Sequence, residues 1–162
     1  MRIALLTLLA LAVSASALAA PQRAKVSVHA TSLGRVLADA HGRTLYVFDL
    51  DARGRSSCSG TCAAAWPPLL TTGTPVALAG VPANRLATAK RGDGRLQVTF
   101  LGRPLYLHAA DGRAGQVTGA AVAHWAALTT TGTRLHRAPT STPMPSPSPT
   151  PQPPYPGGGD GY

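Results

Sequence analysis

Two cysteines, five histidines and six acidic residues, all aspartate, are the side chains of this chain best suited to chemistry. Cys58 and Cys62 have three residues between them. That is not the C-x-x-C spacing of a thioredoxin-like redox pair, and no histidine follows Cys62 as haem attachment requires. Residues four apart on a turn bring their Cα atoms to about 6 Å, within reach of a disulfide. In an exported chain an even cysteine count favours that bond, and a redox or metal-handling pair is the alternative. His29, His41, His108, His124 and His136 form no H-x-H or H-x-x-x-H pair. His108 and His124 both fall in the second half, but nothing in their spacing asks for a metal. Asp49 and Asp51 would share one face of a strand, as an acid–base pair would. An acidic turn that caps the following loop is the commoner arrangement. Hydrolase elbows, H-E-x-x-H, P-loops and Rossmann glycine patterns are missing from the sequence. The expectation is a protein that is not an enzyme, with no cofactor and no metal site.

One pair recurs. Tyr46 precedes Asp51, and Tyr106 precedes Asp111, with four residues between the members each time. A buried strand tyrosine needs a partner for its hydroxyl, and a carboxylate just past the strand end supplies one. Asp51 after Tyr46, and Asp111 after Tyr106, can accept from that hydroxyl or from exposed backbone N–H groups of the loop, and either way would fix the loop leading to the tryptophan. The elements carrying these pairs are duplicated as well. At an offset of sixty, Gly34-Arg35 falls on Gly94-Arg95, Gly42-Arg43 on Gly102-Arg103, and Leu45-Tyr46 on Leu105-Tyr106. One deletion later, Trp66 falls on Trp125 and Thr71-Thr72-Gly73-Thr74 on Thr130-Thr131-Gly132-Thr133. Such ordered self-similarity is the mark of an internal repeat.

Each copy reads as β structure. Val26–Val28, Arg35–Asp39 and Arg43–Phe48 are short runs rich in β-branched, aliphatic or aromatic residues, separated by turn residues. Leu86–Thr88, Arg95–Phe100 and Pro104–His108 take their places in the second copy. Ala63–Trp66 reads as a helical turn stopped by Pro67-Pro68; its counterpart within Gly119–Leu128 is either a helical turn or a strand. Three short strands leave one apolar face wet, so two such units should pack together. The fold class is mainly β: two tandem antiparallel meanders of about sixty residues forming one pseudo-symmetric domain, with short helical turns. That domain is expected over residues 20–137, with repeat 1 at about 24–74 and repeat 2 at about 84–133.

The ends differ from this body. Arg2, the apolar run Ile3–Val13 and the small residues up to Ala20 read as a signal peptide over residues 1–19, with cleavage near Ala17-Leu18-Ala19. That run is short of the roughly 20 residues that span a bilayer. Past Arg137 the chain alternates proline with serine and threonine before a glycine-rich end, so residues 138–162 read as a disordered tail. Arg2 is the only basic residue ahead of residue 20, so 14 basic face 6 acidic residues after it, a charge of +8. Such a surface attracts anionic partners. The arginines are scattered, without a long basic run or aromatic interleaving, so no specific nucleic-acid reader is expected. Anionic envelope components or an envelope protein are the expected partners.

The order Tyr46-Val47-Phe48-Asp49-Leu50-Asp51, Cys58-Ser59-Gly60-Thr61-Cys62 and Trp66-Pro67-Pro68-Leu69 resembles the bacterial secreted or lipoprotein repeat family with the Y-x4-D motif. The resemblance spans both copies, about Gly34 to Gly132. It implies an exported, cell-envelope protein, periplasmic or extracellular, and implies no reaction. Two features depart from it. No cysteine near the cleavage site is available for lipidation, and His108 stands where the first copy has the aromatic Phe48. The expected role is a non-enzymatic binding or structural module. A redox or metal-handling protein using Cys58, Cys62 and the histidines is the rival.

Overall fold

A computed structural model describes residues 22–137; the expected signal peptide and proline-rich tail lie outside them. The first copy begins with a hairpin of β1 (Lys25–Thr31) and β2 (Gly34–Asp39), antiparallel, with Val26 opposite Asp39 and Thr31 opposite Gly34. The turn between them is tied by the Thr31 hydroxyl, which donates to the Gly34 carbonyl and accepts from the Leu33 N–H. β3 (Tyr46–Phe48) follows, then a single helical turn α1 (Thr61–Ala65), β4 (Leu70–Thr71) and β5 (Val76–Ala77). A 3₁₀ turn at Ala83–Arg85 leads into the second copy. Its strands are β6 (Leu86–Lys90), β7 (Leu96–Phe100) and β8 (Arg103–Pro104). After a 3₁₀ turn at Thr118–Ala121 come β9 (Trp125–Leu128) and β10 (Arg134–Leu135). The segment that reads in sequence as either helical turn or strand is both, one after the other.

The second copy keeps the expected meander as far as Pro104, with β6, β7 and β8 successively antiparallel, and past it Tyr106 bridges Tyr46 and Pro68 of the first copy. The first copy keeps less of it. Only one bridge, Ala38 with Thr44, continues its hairpin into the third run. From Tyr46 onward that run crosses over and pairs with β9 of the second copy, Tyr46 opposite Ala127 and Phe48 opposite Trp125. In return β4 of the first copy pairs with β7 of the second. β5 lies parallel to β1, an exception to the antiparallel rule.

The exchange follows from burial. A three-residue strand has too few hydrogen bonds to stand at an edge with both faces apolar, and Tyr46 and Val47 are fully buried. Pairing with the other copy satisfies the backbone and covers the side chains together. The core is correspondingly mixed. Val26, Leu37 and Leu45 of the first copy pack in one cluster with Val98, Phe100, Leu105 and Leu128 of the second.

Candidate functional site

The two copies meet at their tyrosines. The Tyr46 N–H donates to the Tyr106 carbonyl and the Tyr106 N–H donates to the Tyr46 carbonyl, both at 2.9 Å. An antiparallel pair that joins equivalent residues puts a local two-fold axis between them. The flanking strands obey it: Pro68 bridges Tyr106 as Ala127 pairs with Tyr46. Farther out, the Gly54 N–H donates to the Gly102 carbonyl at 2.7 Å and the Gly115 N–H to the Gly42 carbonyl at 3.0 Å. In each case the loop after one copy's aspartate is held on the other copy's β-turn.

This axis corrects the reading in which each aspartate takes its own copy's tyrosine hydroxyl, and keeps the one in which it takes N–H groups of its own loop. The Tyr46 hydroxyl donates to Asp111 Oδ2 and the Tyr106 hydroxyl to Asp51 Oδ2, each at 2.5 Å. The partners are crossed between copies. The backbone pairing of Tyr46 with Tyr106 sets each tyrosine beside the loop that follows the other one. Each aspartate then returns to its own loop. Asp111 Oδ1 accepts from the Thr118 N–H and hydroxyl, and Asp51 Oδ1 from the Ser57 N–H and hydroxyl. Burial, reinforced by the facing carboxylate, raises both tyrosine pKa values far above the ordinary phenol. Both hydroxyls therefore remain protonated donors at any physiological pH, which suits them to fastening rather than to proton transfer.

A stack of four rings runs across the same axis. His108 lies on Trp66 at 4.3 Å between centroids, Trp66 on Trp125 at 3.7 Å, and Trp125 on Phe48 at 4.5 Å. The copies alternate along it. Tyr46 meets Trp66 edge-on at 5.4 Å and Tyr106 meets Trp125 edge-on at 5.1 Å, the favoured arrangement of ring quadrupoles. His108 thus occupies the place of Phe48 and stacks as it does, while its Nδ1 lies 3.1 Å from the Thr118 hydroxyl. Gly119 makes this packing possible: a Cβ there would stand 2.7 Å from Trp66 Cη2 and 2.9 Å from Tyr46 Cζ. Sequence reasoning found both tyrosines, aspartates and tryptophans but missed Gly119, Ser57 and Thr118. Ser57 and Thr118 follow their aspartates by six and seven residues, an offset of sixty-one that an alignment at sixty and fifty-nine passes over.

The remaining candidates are dispersed. Cys58 and Cys62 are disulfide-bonded, with Cα atoms 5.3 Å apart, and the bond closes the loop that opens α1. Arg91 of the second copy, its side chain nearly buried, reaches that loop and donates to the Cys58 carbonyl at 2.7 Å. Asp49 and Asp51 do not act together: Asp49 pairs with Arg134 at 2.6 Å, while Asp51 holds Tyr106. Among the described residues no group of three or more His, Cys, Asp or Glu side chains is placed to hold a metal ion. Nor is any helix there long and apolar enough to cross a membrane.

A family model described as a secreted repeat of unknown function matches residues 27–70 and again 87–129. The chain belongs to that family. The two matched segments are the two copies related by the tyrosine axis, so the repeat of the secreted-repeat family is here half of an interlocked body. No curated protein and no solved structure matches the chain.

Proposed function

We propose that this secreted-repeat protein is a non-enzymatic module of the cell envelope, periplasmic or extracellular. It adheres through its cationic surface to anionic envelope components such as acidic polysaccharide or anionic lipid. One observation carries the reading: the recurrent Tyr, Asp and Trp side chains are turned inward and partnered with one another. The motif residues fasten the copies, and most of the exposed charge left to the protein is basic. The disulfide fixes a loop in this reading and exchanges no electrons.

Binding between exposed charges is screened beyond about 8 Å at physiological salt. Affinity for an acidic polysaccharide should therefore fall steeply between low and physiological salt, without catalytic turnover. Adhesion indifferent to salt, or reduction of the Cys58–Cys62 bond in step with a partner's oxidation, would refute the reading.

A further inference from the structure

At the corner of each copy a turn glycine is followed by an arginine, Gly42-Arg43 in the first and Gly102-Arg103 in the second. Beneath the first turn lies Asp39, 4 % exposed. It accepts from the Arg43 N–H at 2.9 Å, Arg43 Nε at 2.8 Å, Arg43 Nη2 at 2.7 Å and the His41 N–H at 2.8 Å. Burial by itself would raise the Asp39 carboxyl; these donors outweigh it and hold the pKa below the usual value. Arg43 is thus neutralised within its own corner.

In the second copy the position of Asp39, opposite Val26 and bonded to Arg43, is taken by Phe100, opposite Leu86 and Arg103, buried and uncharged. Two further arginines approach there. Arg53 arrives from the first copy's loop, its stem lying along Gly102, 3.8 Å from where a Cβ would stand. Arg134 comes from β10, steadied by Asp49 at 2.6 Å. With Arg103 they line a hollow of about 220 Å³, one wall of which is Leu101 lying over Gly132. Among the described residues, neither Arg53 nor Arg103 has a carboxylate within 4.0 Å. Burial, with Arg134 and Arg53 nearby and Asp49 and Asp51 opposing, lowers the Arg103 pKa. Converging cations with a charge deficit, in a polar hollow smaller than the roughly 300–1,000 Å³ of a drug-sized site, suit one compact anion. Guanidinium forks match the oxygens of phosphate in pairs.

We propose that Arg53, Arg103 and Arg134 form a site for a single phosphate group, free in solution or carried by a lipid headgroup. The site deepens the adhesion reading by naming where one anionic group is held, and rests on that reading only for an envelope source of the phosphate. It also singles out arginines that a purely diffuse surface would leave interchangeable.

The test titrates inorganic phosphate into the full chain and follows backbone amide shifts by NMR. Parallel arms use phosphatidylglycerol vesicles and phosphatidylcholine vesicles. Saturable shifts should centre on residues 53, 101–103 and 132–134. Arg103→Gln should weaken phosphate binding by at least about tenfold, the size of one lost hydrogen bond to a charged group. Arg113→Gln, outside the hollow, should change nothing. Arg103-dependent binding to phosphatidylglycerol but not phosphatidylcholine assigns a lipid source, and phosphate binding without it assigns a free one. Shifts scattered over many arginines, or an Arg103→Gln variant equal to the parent, overturn the site while leaving salt-sensitive adhesion standing. Saturable phosphate binding in a protein that ignores acidic polysaccharide and anionic vesicles would sink the adhesion reading and keep the site.

Discussion

Around the tyrosine axis, Tyr46 and Tyr106 take the same kind of partner, Trp66 and Trp125 stack face to face, and His108 does the work of Phe48. At the corners the copies part: Asp39 neutralises Arg43, while Phe100 at the matching position leaves Arg103 without a carboxylate. The disulfide, too, belongs to the first copy alone. The contrast has a physical basis. A side chain on the axis touches its own counterpart, so a change in one copy disturbs both, whereas a corner 60 residues away in sequence meets different neighbours and is free to change by itself.

The hardest test of that contrast is to separate the copies. Fragments spanning residues 24–73 and 76–137 each lose the acceptor for their tyrosine, half of the ring stack and the strand opposite. Each would have to offset roughly 1–2 kcal/mol of ordering entropy per residue with half a core. Neither should show a cooperative thermal transition, and a sharp melt from either would mean that the crossed packing is dispensable.

Next in size is the loss of one axial acceptor. Asp111→Ala strands the buried Tyr46 hydroxyl, at a cost of roughly 1–3 kcal/mol, and removes the acceptor of the exposed Thr118, which water serves in part. About 2 kcal/mol is expected by chemical denaturation. Asp51→Ala should cost less, because the Asp51 side chain is half-buried and water can replace it for Ser57. Equal losses would show that the two fastenings are energetically alike despite their unequal exposure.

Removing the feature held by one copy alone should matter less. Changing both Cys58 and Cys62 to serine opens a five-residue loop, worth about 2 kcal/mol at most on chain-entropy grounds. The variant should fold, with a lowered denaturation midpoint. An unfolded variant would assign the disulfide a larger part in the fold.

The smallest effect concerns the neutralised corner. The folded Asp39 pKa is depressed, so its stabilisation is complete above the unfolded value near about 4 and is lost as pH falls through the folded value. Asp39→Asn should lower stability near neutral pH and flatten part of the acid limb of the stability–pH curve. Thr99→Ser, in the second copy's uncharged hairpin, should leave that limb unchanged. An acid limb identical in Asp39→Asn and the parent would mean that Arg43 does not stabilise the carboxylate.

The strands near Val26, Arg35, Leu86 and Arg95 were legible because alternating β-branched residues between glycine turns report local backbone preference. The disulfide was legible because four residues of separation already bring two Cα atoms within bonding distance. The Tyr–Asp device was legible as a need, a buried hydroxyl and a nearby acceptor, but not as a pairing. Nothing in the spacing of Tyr46 and Asp51 says that Asp111 is the closer carboxylate. Gly119 reads as an ordinary turn glycine until two rings are seen against it.

The sequence by itself determined the duplication, the β character and the residues at which the copies must be fastened, since these depend on residue type and order along one chain. Only the tertiary structure decided which copy supplies each partner, and that Phe100 stands where the first copy has Asp39, beside three arginines around one hollow. Contacts across a two-fold axis join residues some sixty positions apart, and local spacing carries no information about which of two equivalent loops arrives there.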